Sequence, residues 1–158
     1  MQQLIEEKNK INNKARIVAG YCWEWKKDGR NNSNFKDIQI KEHDFSISWN
    51  LGNSSTWAID SESVNEAGCI HTCQGLEFDY VGVIIGNDMR YENGKIVTDF
   101  FQRATTDQSI KGLKGMYKKN PTQALALADD IIKNTYRTLM TRGQKAVSYT
   151  HLTLPTIA

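Results

Sequence analysis

The sequence of residues 69–86 is CIHTCQGLEFDYVGVIIG, and it holds the strongest fold signal of the chain. Its second half, residues 80–86, is an apolar run rich in β-branched residues, which is typical of a central strand covered on both faces of a sheet. Its first half carries Cys69, His71 and Cys73 at every second position, and a strand would place these three side chains on one face. The stretch is therefore open to three interpretations: a metal site, a core strand with a polar lead-in, or part of a nucleotide-handling protein.

The metal interpretation lacks a complete set of ligands. Structural zinc takes four ligands, commonly from two CxxC-like pairs, and the sequence has no second pair beside this one. The remaining candidates, Cys22, His43 and His151, are isolated from one another. Buried cysteines that flank a functional histidine are the simpler interpretation, and we predict no metal site.

Composition predicts one globular domain. The 158 residues are 39% hydrophobic and 24% charged, and the net charge of +2 neither demands nor excludes a nucleic-acid partner. One basic cluster stands out, formed by Lys111, Lys114, Lys118 and Lys119. The sequence has no membrane-length apolar stretch and no signal peptide, and its three cysteines show no framework spacing, so we expect a cytoplasmic protein with reduced thiols.

Working outward from the central strand, local patterns predict alternating strands and helices. These are a polar helix at 2–14, a buried strand at 16–22, a surface loop at 26–37, an alternating strand at 45–49, a turn at 52–55, brief strands at 57–59 and 69–72, a hairpin around the Asn-Gly pair at 93–94, a flexible basic loop at 108–120 and a long helix at 122–143. Strands interleaved with helices favour an α/β fold. Tyr21, Trp23 and Trp25 beside the first strand are interpreted as core residues, with base stacking as the alternative.

The last eleven residues, SYTHLTLPTIA, differ in character from the rest of the chain. Ser148 to Thr156 can be encoded by TCT TAT ACA CAT CTG ACG CTG CCG ACG, the adapter of transposase-based sequencing libraries, and the preceding two codons fit its upstream bases. We therefore predict that residues 146–158 are adapter read-through. Residues 1–145 would then be one partial domain whose sheet lacks its final strand after Lys145. A natural polar tail is the alternative.

Four blocks in chain order carry a family resemblance: RIVAGYCWEW, WAID, GCIHTCQGLEFDYVGVIIG and NTYRTLMTRG. Together they resemble the Schlafen group 3-like DNA/RNA helicase domain family, bacterial relatives of the UvrD-type superfamily 1 helicases, over most of residues 1–145. The resemblance implies the second, C-terminal RecA-like domain of a two-domain motor. It thus implies a P-loop NTPase type of α/β fold, with a mostly parallel sheet flanked by helices.

The segment HTCQGLEFD resembles the fifth helicase motif of that superfamily. The resemblance implies that Gln74, Gly75 and Glu77 bind ATP, since glycine lets the backbone approach a ligand closely and Glu77 would accept a hydrogen bond from the ribose hydroxyl. His71 and Thr72 would face the nucleic-acid backbone or couple it to the nucleotide. Taken alone, Glu77 would be a solvated loop carboxylate and Gly75 a plain turn residue.

The segment NTYRTLMTRG resembles the sixth helicase motif, in which a Thr-Arg pair ends a helix. The resemblance implies that Arg142 is an arginine finger, whose planar guanidinium stabilises charge on the γ-phosphate during phosphoryl transfer. The alternative for either arginine of this segment is a surface residue favoured by the helix dipole, which suits Arg137. Gly143 departs from the wider superfamily, in which alanine is commoner.

The sequence contains neither a GxxxxGK[ST] loop nor an Asp-Glu pair for magnesium. The resemblance assigns both to an N-terminal RecA-like domain, so we expect Met1 to be an internal methionine and the chain to be a fragment, inactive alone, of an ATP-dependent DNA/RNA helicase-like motor. ATP and Mg²⁺ would be cofactors of the intact protein. Its expected partners are single-stranded DNA or RNA and the missing N-terminal domain, with no membrane, in a bacterial cytoplasm. The alternatives are a non-catalytic RecA-like module that binds nucleic acid or protein, and a small zinc-binding domain.

Overall fold

The structure is a computed structural model that describes residues 1–24, 32, 34–50 and 56–150. Its helices and strands are α1 (Gln2–Asn12), β1 (Ala15–Ala19), β2 (Ile38–Ile40), β3 (Phe45–Trp49), β4 (Glu66–Gly68), β5 (Phe78–Ile84), β6 (Met89–Glu92), β7 (Lys95–Thr98), α2 (Leu113–Lys119), α3 (Pro121–Met140) and β8 (Gly143–Thr150). Trp25, most of the predicted loop at 26–37, the predicted turn at 52–55 and residues 151–158 lie outside the described residues.

A six-stranded sheet in the order β2-β3-β4-β1-β5-β8 forms the centre of the fold. The pairs β3–β4, β4–β1, β1–β5 and β5–β8 are parallel, and only β2 pairs antiparallel, with β3. Helix α1 contributes Ile5 to the core on one face, and α3 contributes Ala128 and Ile132 to the core on the other. The predicted α/β class, with a mostly parallel sheet flanked by helices, is confirmed, and it is compatible with a RecA-like fold.

Strand β5 is central because it has apolar side chains on both of its faces. Its side chains alternate between the two cores: Val81 and Val83 pack with α3, whereas Tyr80 and Ile84 pack on the opposite face with α1 and β1. This two-residue alternation with apolar residues on both sides is the pattern of a strand buried between two layers. Strand β1 is buried throughout in the same way.

Arg16 is the polar exception in β1, and it explains why residues 57–59 form a turn instead of the predicted strand. Its guanidinium donates to the carbonyl oxygens of Ala58 and Asp60, each at 2.9 Å, and to the side chains of Asn9 and Asn13 on α1 at 2.8 and 3.1 Å. The carbonyl groups that a strand would use in a ladder are thus taken by a buried cation. Arg16 therefore ties α1 and this turn to the sheet.

Helix α3 begins as predicted and ends earlier. The Asn120 side chain accepts a hydrogen bond from the Gln123 backbone N–H at 3.2 Å, and Pro121 occupies the first turn, where its missing N–H costs nothing. The helix ends at Met140 rather than Gly143 because Gly143 already pairs with Phe78 as the first residue of β8. Leu125 on this helix is 47% exposed, and its neighbour Ala124 occupies the buried position.

Two further predictions met opposite outcomes. The hairpin is confirmed: β6 and β7 pair antiparallel around Asn93 and Gly94, whose φ angles of 50° and 80° suit a tight hairpin turn. The flexible loop at 108–120 is wrong, because residues 113–119 form α2. Burial of Leu113 against the core stabilises this helix despite its lysines and glycine.

The carboxyl end of the described chain forms a strand at the edge of the sheet. Residues 143–150 form β8, which pairs in parallel with β5. The loss of the native final strand after Lys145 stays a prediction, because residues 146–150 of β8 belong to the stretch predicted as adapter read-through. Lys145 Nζ bonds Asp79 Oδ2 at 2.7 Å and fastens this edge strand to its neighbour. The origin of residues 146–158 as adapter read-through stays a prediction.

Candidate functional site

The segment between β4 and β5, residues 69–77, carries most of the predicted site residues, and we call it the crossover segment. Because β4 and β5 are both parallel to β1, the segment leaves the carboxyl edge of the sheet and reaches the amino edge. Residues 70–75 form consecutive turns, so the strand predicted at 69–72 is wrong. The structure therefore divides the predicted residues between two edges of the sheet.

Thr72 and His71 lie at the carboxyl edge. The Thr72 hydroxyl donates to Asn50 Oδ1 at 2.6 Å, just beyond the end of β3, and lies 3.2 Å from Cys69 Sγ. His71 is exposed, and its ring is 6.1 Å from the ring of Tyr21 in an edge-on arrangement. Burial, with the nearby Cys69, raises the pKa of Tyr21 to about 12, so its hydroxyl is neutral at physiological pH. Tyr21 itself packs against Trp49, as the core interpretation predicted.

Gln74, Gly75 and Glu77 lie on the part of the crossover segment that leads to the amino edge, and all three are exposed. Gly75 has a φ of 75°, a left-handed conformation that glycine adopts without strain, and no atom lies within 4 Å of the position that a Cβ would occupy. The Glu77 carboxylate accepts a hydrogen bond from the side-chain amide of Gln144 on β8. A ligand could thus approach the Gly75 backbone closely beside an accessible carboxylate.

Arg142 meets the crossover segment at this amino edge. Its Nη1 donates to the Leu76 carbonyl oxygen at 3.3 Å, across 66 residues of sequence, and its own carbonyl oxygen accepts from the Phe78 N–H at 2.8 Å. Its Nε donates to the Thr138 carbonyl oxygen at 3.2 Å, which holds the side chain against the end of α3. The segments that resemble the fifth and sixth helicase motifs are therefore in direct contact.

The charges at the amino edge differ in how they are neutralised. Asp79 is paired with Lys145, and hydrogen bonds from Lys145 and Asn12 lower the pKa of its carboxyl group. Within the described residues, neither Arg142 nor Glu77 forms an ion pair, since their partners are carbonyl, hydroxyl and amide groups. A guanidinium without a carboxylate partner can bind phosphate in a bidentate manner, and a carboxylate without a cation can accept hydrogen bonds from hydroxyl groups.

The two cysteines of the crossover segment point into different cores. Cys69 belongs to the core that contains Ile17, and Cys73 to the core that contains Phe78, while His71 is exposed between them. Burial raises the pKa of Cys73 to about 12, so its thiol is protonated and a poor metal ligand. In the ranges that the structure describes, no group of three or more His, Cys, Asp or Glu side chains could hold a metal ion.

A buried polar network at the carboxyl edge was missed by the sequence analysis. Asp88 accepts hydrogen bonds from the Tyr136 hydroxyl at 2.5 Å and from Arg103 Nη1 at 3.2 Å. Arg103 Nε also bonds Asp107 Oδ2 at 2.5 Å, and the Tyr136 oxygen accepts from the Gly86 N–H at 2.9 Å. The network joins α3 to the end of β5 and to the segment that follows β7. Its members are scattered along the chain, so no local pattern could have revealed it.

A pocket of about 300 Å³ is lined by residues that follow β1, β5 and β2. Its lining includes Cys22 and Trp23 after β1, Gly86 and Asn87 after β5, and Lys41 after β2. None of the predicted site residues lines it. Gln74, Gly75 and Glu77 instead lie exposed on the part of the crossover segment that leads to the amino edge.

Comparison with known proteins supports the resemblance seen in the sequence. The family described as Schlafen group 3, DNA/RNA helicase domain, matches residues 1–149. An uncharacterized protein of Saccharomyces cerevisiae is 25% identical over 151 residues, which cover 93% of this chain and 31% of that protein. The chain thus spans about a third of the length of this relative. No solved structure matches the chain significantly. In the part of the chain that the structure describes, no helix is both long enough and apolar enough to cross a membrane.

Proposed function

The chain belongs to the Schlafen group 3 DNA/RNA helicase domain family, and from this premise we propose that it forms the C-terminal RecA-like half of an ATP-dependent, nucleic-acid-translocating motor. In this proposal, the amino edge of β5 and β8 faces ATP, which a second RecA-like domain holds by its phosphates. The carboxyl edge, with His71 and Thr72, faces single-stranded DNA or RNA.

The contact between Arg142 and the crossover segment is the observation that carries the proposal. Two segments that resemble separate helicase motifs share two hydrogen bonds, Arg142 Nη1 to the Leu76 oxygen and the Phe78 N–H to the Arg142 oxygen. The contact brings a guanidinium and the Glu77 carboxylate to one edge of the sheet, and within the described residues neither is engaged in an ion pair. A nucleotide presents both complementary groups, anionic phosphates and ribose hydroxyls.

Each residue then has one task. Arg142 would exchange its neutral carbonyl acceptors for the γ-phosphate and stabilise the charge that develops there. Glu77 would exchange the Gln144 amide for a ribose hydroxyl, and the open backbone at Gly75, with Gln74 beside it, would lie against the nucleotide. Mg²⁺ would be held by the phosphates and by acidic residues of the partner domain, since the sequence of this chain has no adjacent Asp-Glu pair for it.

Arg142 is tested in the longer natural protein that carries this domain, by measuring nucleic-acid-stimulated ATP hydrolysis. We expect Arg142→Ala to reduce kcat by roughly 10³-fold or more, the range of arginine-finger losses, with nucleotide affinity within a few fold of the unsubstituted protein. Arg137→Ala is the matched control, because Arg137 is an exposed arginine on α3, five residues before Arg142. Hydrolysis by Arg142→Ala at a near-normal rate would remove the finger assignment.

Glu77 is tested by a cycle of two substitutions, one in the protein and one in the ligand. The unsubstituted protein should prefer ATP over 2′,3′-dideoxy-ATP by roughly tenfold or more, the worth of a hydrogen bond to a charged group. Glu77→Ala should abolish that preference. An unchanged preference would refute the ribose contact. A longer protein that binds nucleic acid but hydrolyses no ATP would instead favour a non-catalytic RecA-like binding module.

A further inference from the structure

Helix α2 and the residues before it form a basic surface that the proposed function does not use. No acidic residue occurs between Asp107 and Asp129, and this stretch carries the four lysines of the basic cluster. All of them are exposed: Lys111, Lys114, Lys118 and Lys119. Within the described residues, none of the four forms an ion pair or a side-chain hydrogen bond.

The packing of α2 determines which way the lysines face. Leu113 is buried in the core, and Met116 and Tyr117 pack partly against the same core. Lys114 and Lys118 are four residues apart and thus neighbours on one helical face, away from Leu113. Like charges at this spacing destabilise a helix. The packing of the domain does not explain why Lys114 and Lys118 lie side by side. The binding of an anionic partner would explain it.

An exposed aromatic ring adjoins the basic surface. Phe101 is 50% exposed, and its ring meets Tyr117 of α2 edge-on, with the ring centroids 5.4 Å apart. The buried ring of Phe100 supports Phe101 from behind, at a centroid distance of 4.2 Å. Tyr117 is three residues from Lys114, so these two side chains are neighbours on the surface of α2. We call this surface the α2 platform; it comprises Lys111, Lys114, Lys118, Lys119, Phe101 and Tyr117.

We propose that the α2 platform binds single-stranded nucleic acid, with the lysines on the phosphates and a base stacked on Phe101. A cationic surface beside an accessible ring is the combination that single-stranded DNA and RNA recognise, since their unstacked bases present a face to the ring. A duplex keeps its bases stacked, and an acidic peptide has no nucleobases to stack on the ring. The choice of nucleic acid as the partner rests on the proposed function. The α2 platform adds a contact surface outside the segments that resemble helicase motifs.

The lysines are tested in the 158-residue chain with a fluorescently labelled mixed-sequence 20-mer, by anisotropy over a series of salt concentrations. Each phosphate contact to a single strand contributes about 0.7 to the slope of log K against log salt. Lys114→Gln with Lys118→Gln should therefore lower the slope by about 1.4 and the affinity by roughly tenfold at 0.15 M salt. The matched control is Lys10→Gln with Lys95→Gln, which removes the same charge from two exposed sites elsewhere.

The ring is tested separately, by a substitution that leaves the charge unchanged. Phe101→Leu should weaken binding by roughly fivefold or more, the worth of one stacked base, while the salt slope stays the same. Equal urea midpoints for the unsubstituted chain and the variants establish that the fold is intact, because these side chains are exposed.

Each outcome bears on a different claim. Equal losses in the α2 variant and the Lys10/Lys95 control would overturn the platform and leave nucleic acid as a partner. A lysine effect without a Phe101 effect would overturn the single-strand assignment in favour of a general polyanion surface. Failure of the unsubstituted chain to bind any single strand would overturn the platform together with the nucleic-acid part of the proposed function. The ATP assays on Arg142 and Glu77 are independent of all three results.

Discussion

Removal of a single oxygen atom, in Tyr136→Phe, tests the buried network at the carboxyl edge. The Tyr136 hydroxyl donates to Asp88 Oδ1 at 2.5 Å and accepts from the Gly86 N–H at 2.9 Å, and all three residues are buried. The variant keeps the ring and its packing and loses both hydrogen bonds. It therefore separates the contribution of the network from that of the core.

The magnitude follows from the two bonds that are lost. A hydrogen bond to a charged group contributes about 1.5–3 kcal/mol, and a buried N–H left without an acceptor costs about 1–3 kcal/mol. Asp88 keeps its hydrogen bond to Arg103, so its carboxylate still has a partner. The expected loss of stability therefore lies in the lower half of the sum of the two ranges. We expect Tyr136→Phe to lower the free energy of unfolding by about 3 kcal/mol, and Tm by roughly 6–12 °C for a chain of this size.

Urea denaturation followed by tryptophan fluorescence measures this loss, because the buried Trp49 and Trp57 report on both cores. The m-value should be unchanged, since the same surface is exposed on unfolding. Tyr91→Phe is the control: Tyr91 is only half-buried on β6, so its substitution should cost less than about 0.5 kcal/mol. A loss below about 1 kcal/mol for Tyr136→Phe, or an equal loss for both variants, would refute the reasoning.

Two of three further predictions concern the same edge of the sheet, and the third concerns α2. Burial raises the pKa of both Tyr136 and the Cys22 thiol, so the folded state holds these protons after the unfolded state has released them. The contribution of these two groups to the free energy of unfolding should accordingly be constant below about pH 8.5 and be lost as the pH rises from about 8.5 through 10, the unfolded pKa values of Cys and Tyr. Urea titrations at pH 7, 9 and 10.5 that gave equal stabilities would contradict this. Gly86→Ala should cost about 1–3 kcal/mol by overpacking, because its Cβ would lie 2.2 Å from Cys22 Sγ. Gly115→Ala in α2 meets no atom within 4 Å and should stabilise the chain by roughly 0.5–1 kcal/mol; calorimetry on the two variants should therefore show Tm shifts of opposite sign.

The sequence predicted those elements whose signal is local. Strand β5, helix α3 and the β6–β7 hairpin each have a periodic apolar pattern or a specific turn pair, and each is present. Strand β4 has only the residues Glu-Ala-Gly and no pattern of its own; pairing with β1 and β3 makes it a strand. Helix α2 was missed for a related reason, since Leu113 is its sole fully buried residue and the helix depends on tertiary packing.

The candidate site likewise combines residues that short segments of sequence identify with contacts that only the folded chain creates. Family resemblance marked Arg142 and Glu77 one at a time, because each lies in a short recognisable segment. Their meeting at one edge depends on the pairing of β5 with β8, a contact between distant parts of the chain. The network of Asp88, Arg103 and Tyr136 has no segment that resembles a motif, and only the folded chain brings these residues together.

The crossover segment has a consequence for which sequence changes the domain can tolerate. Thr72, which bonds to Asn50 at one edge, is five residues from Glu77, which bonds to Gln144 at the other. Five residues span at most about 18 Å when fully extended, and part of this length is already used in turns. The two edges are thus joined by a covalent link of only five residues. Insertions there would lengthen the link and make the two edges independent, whereas insertions at the exposed hairpin tip of β6 and β7 would leave it intact.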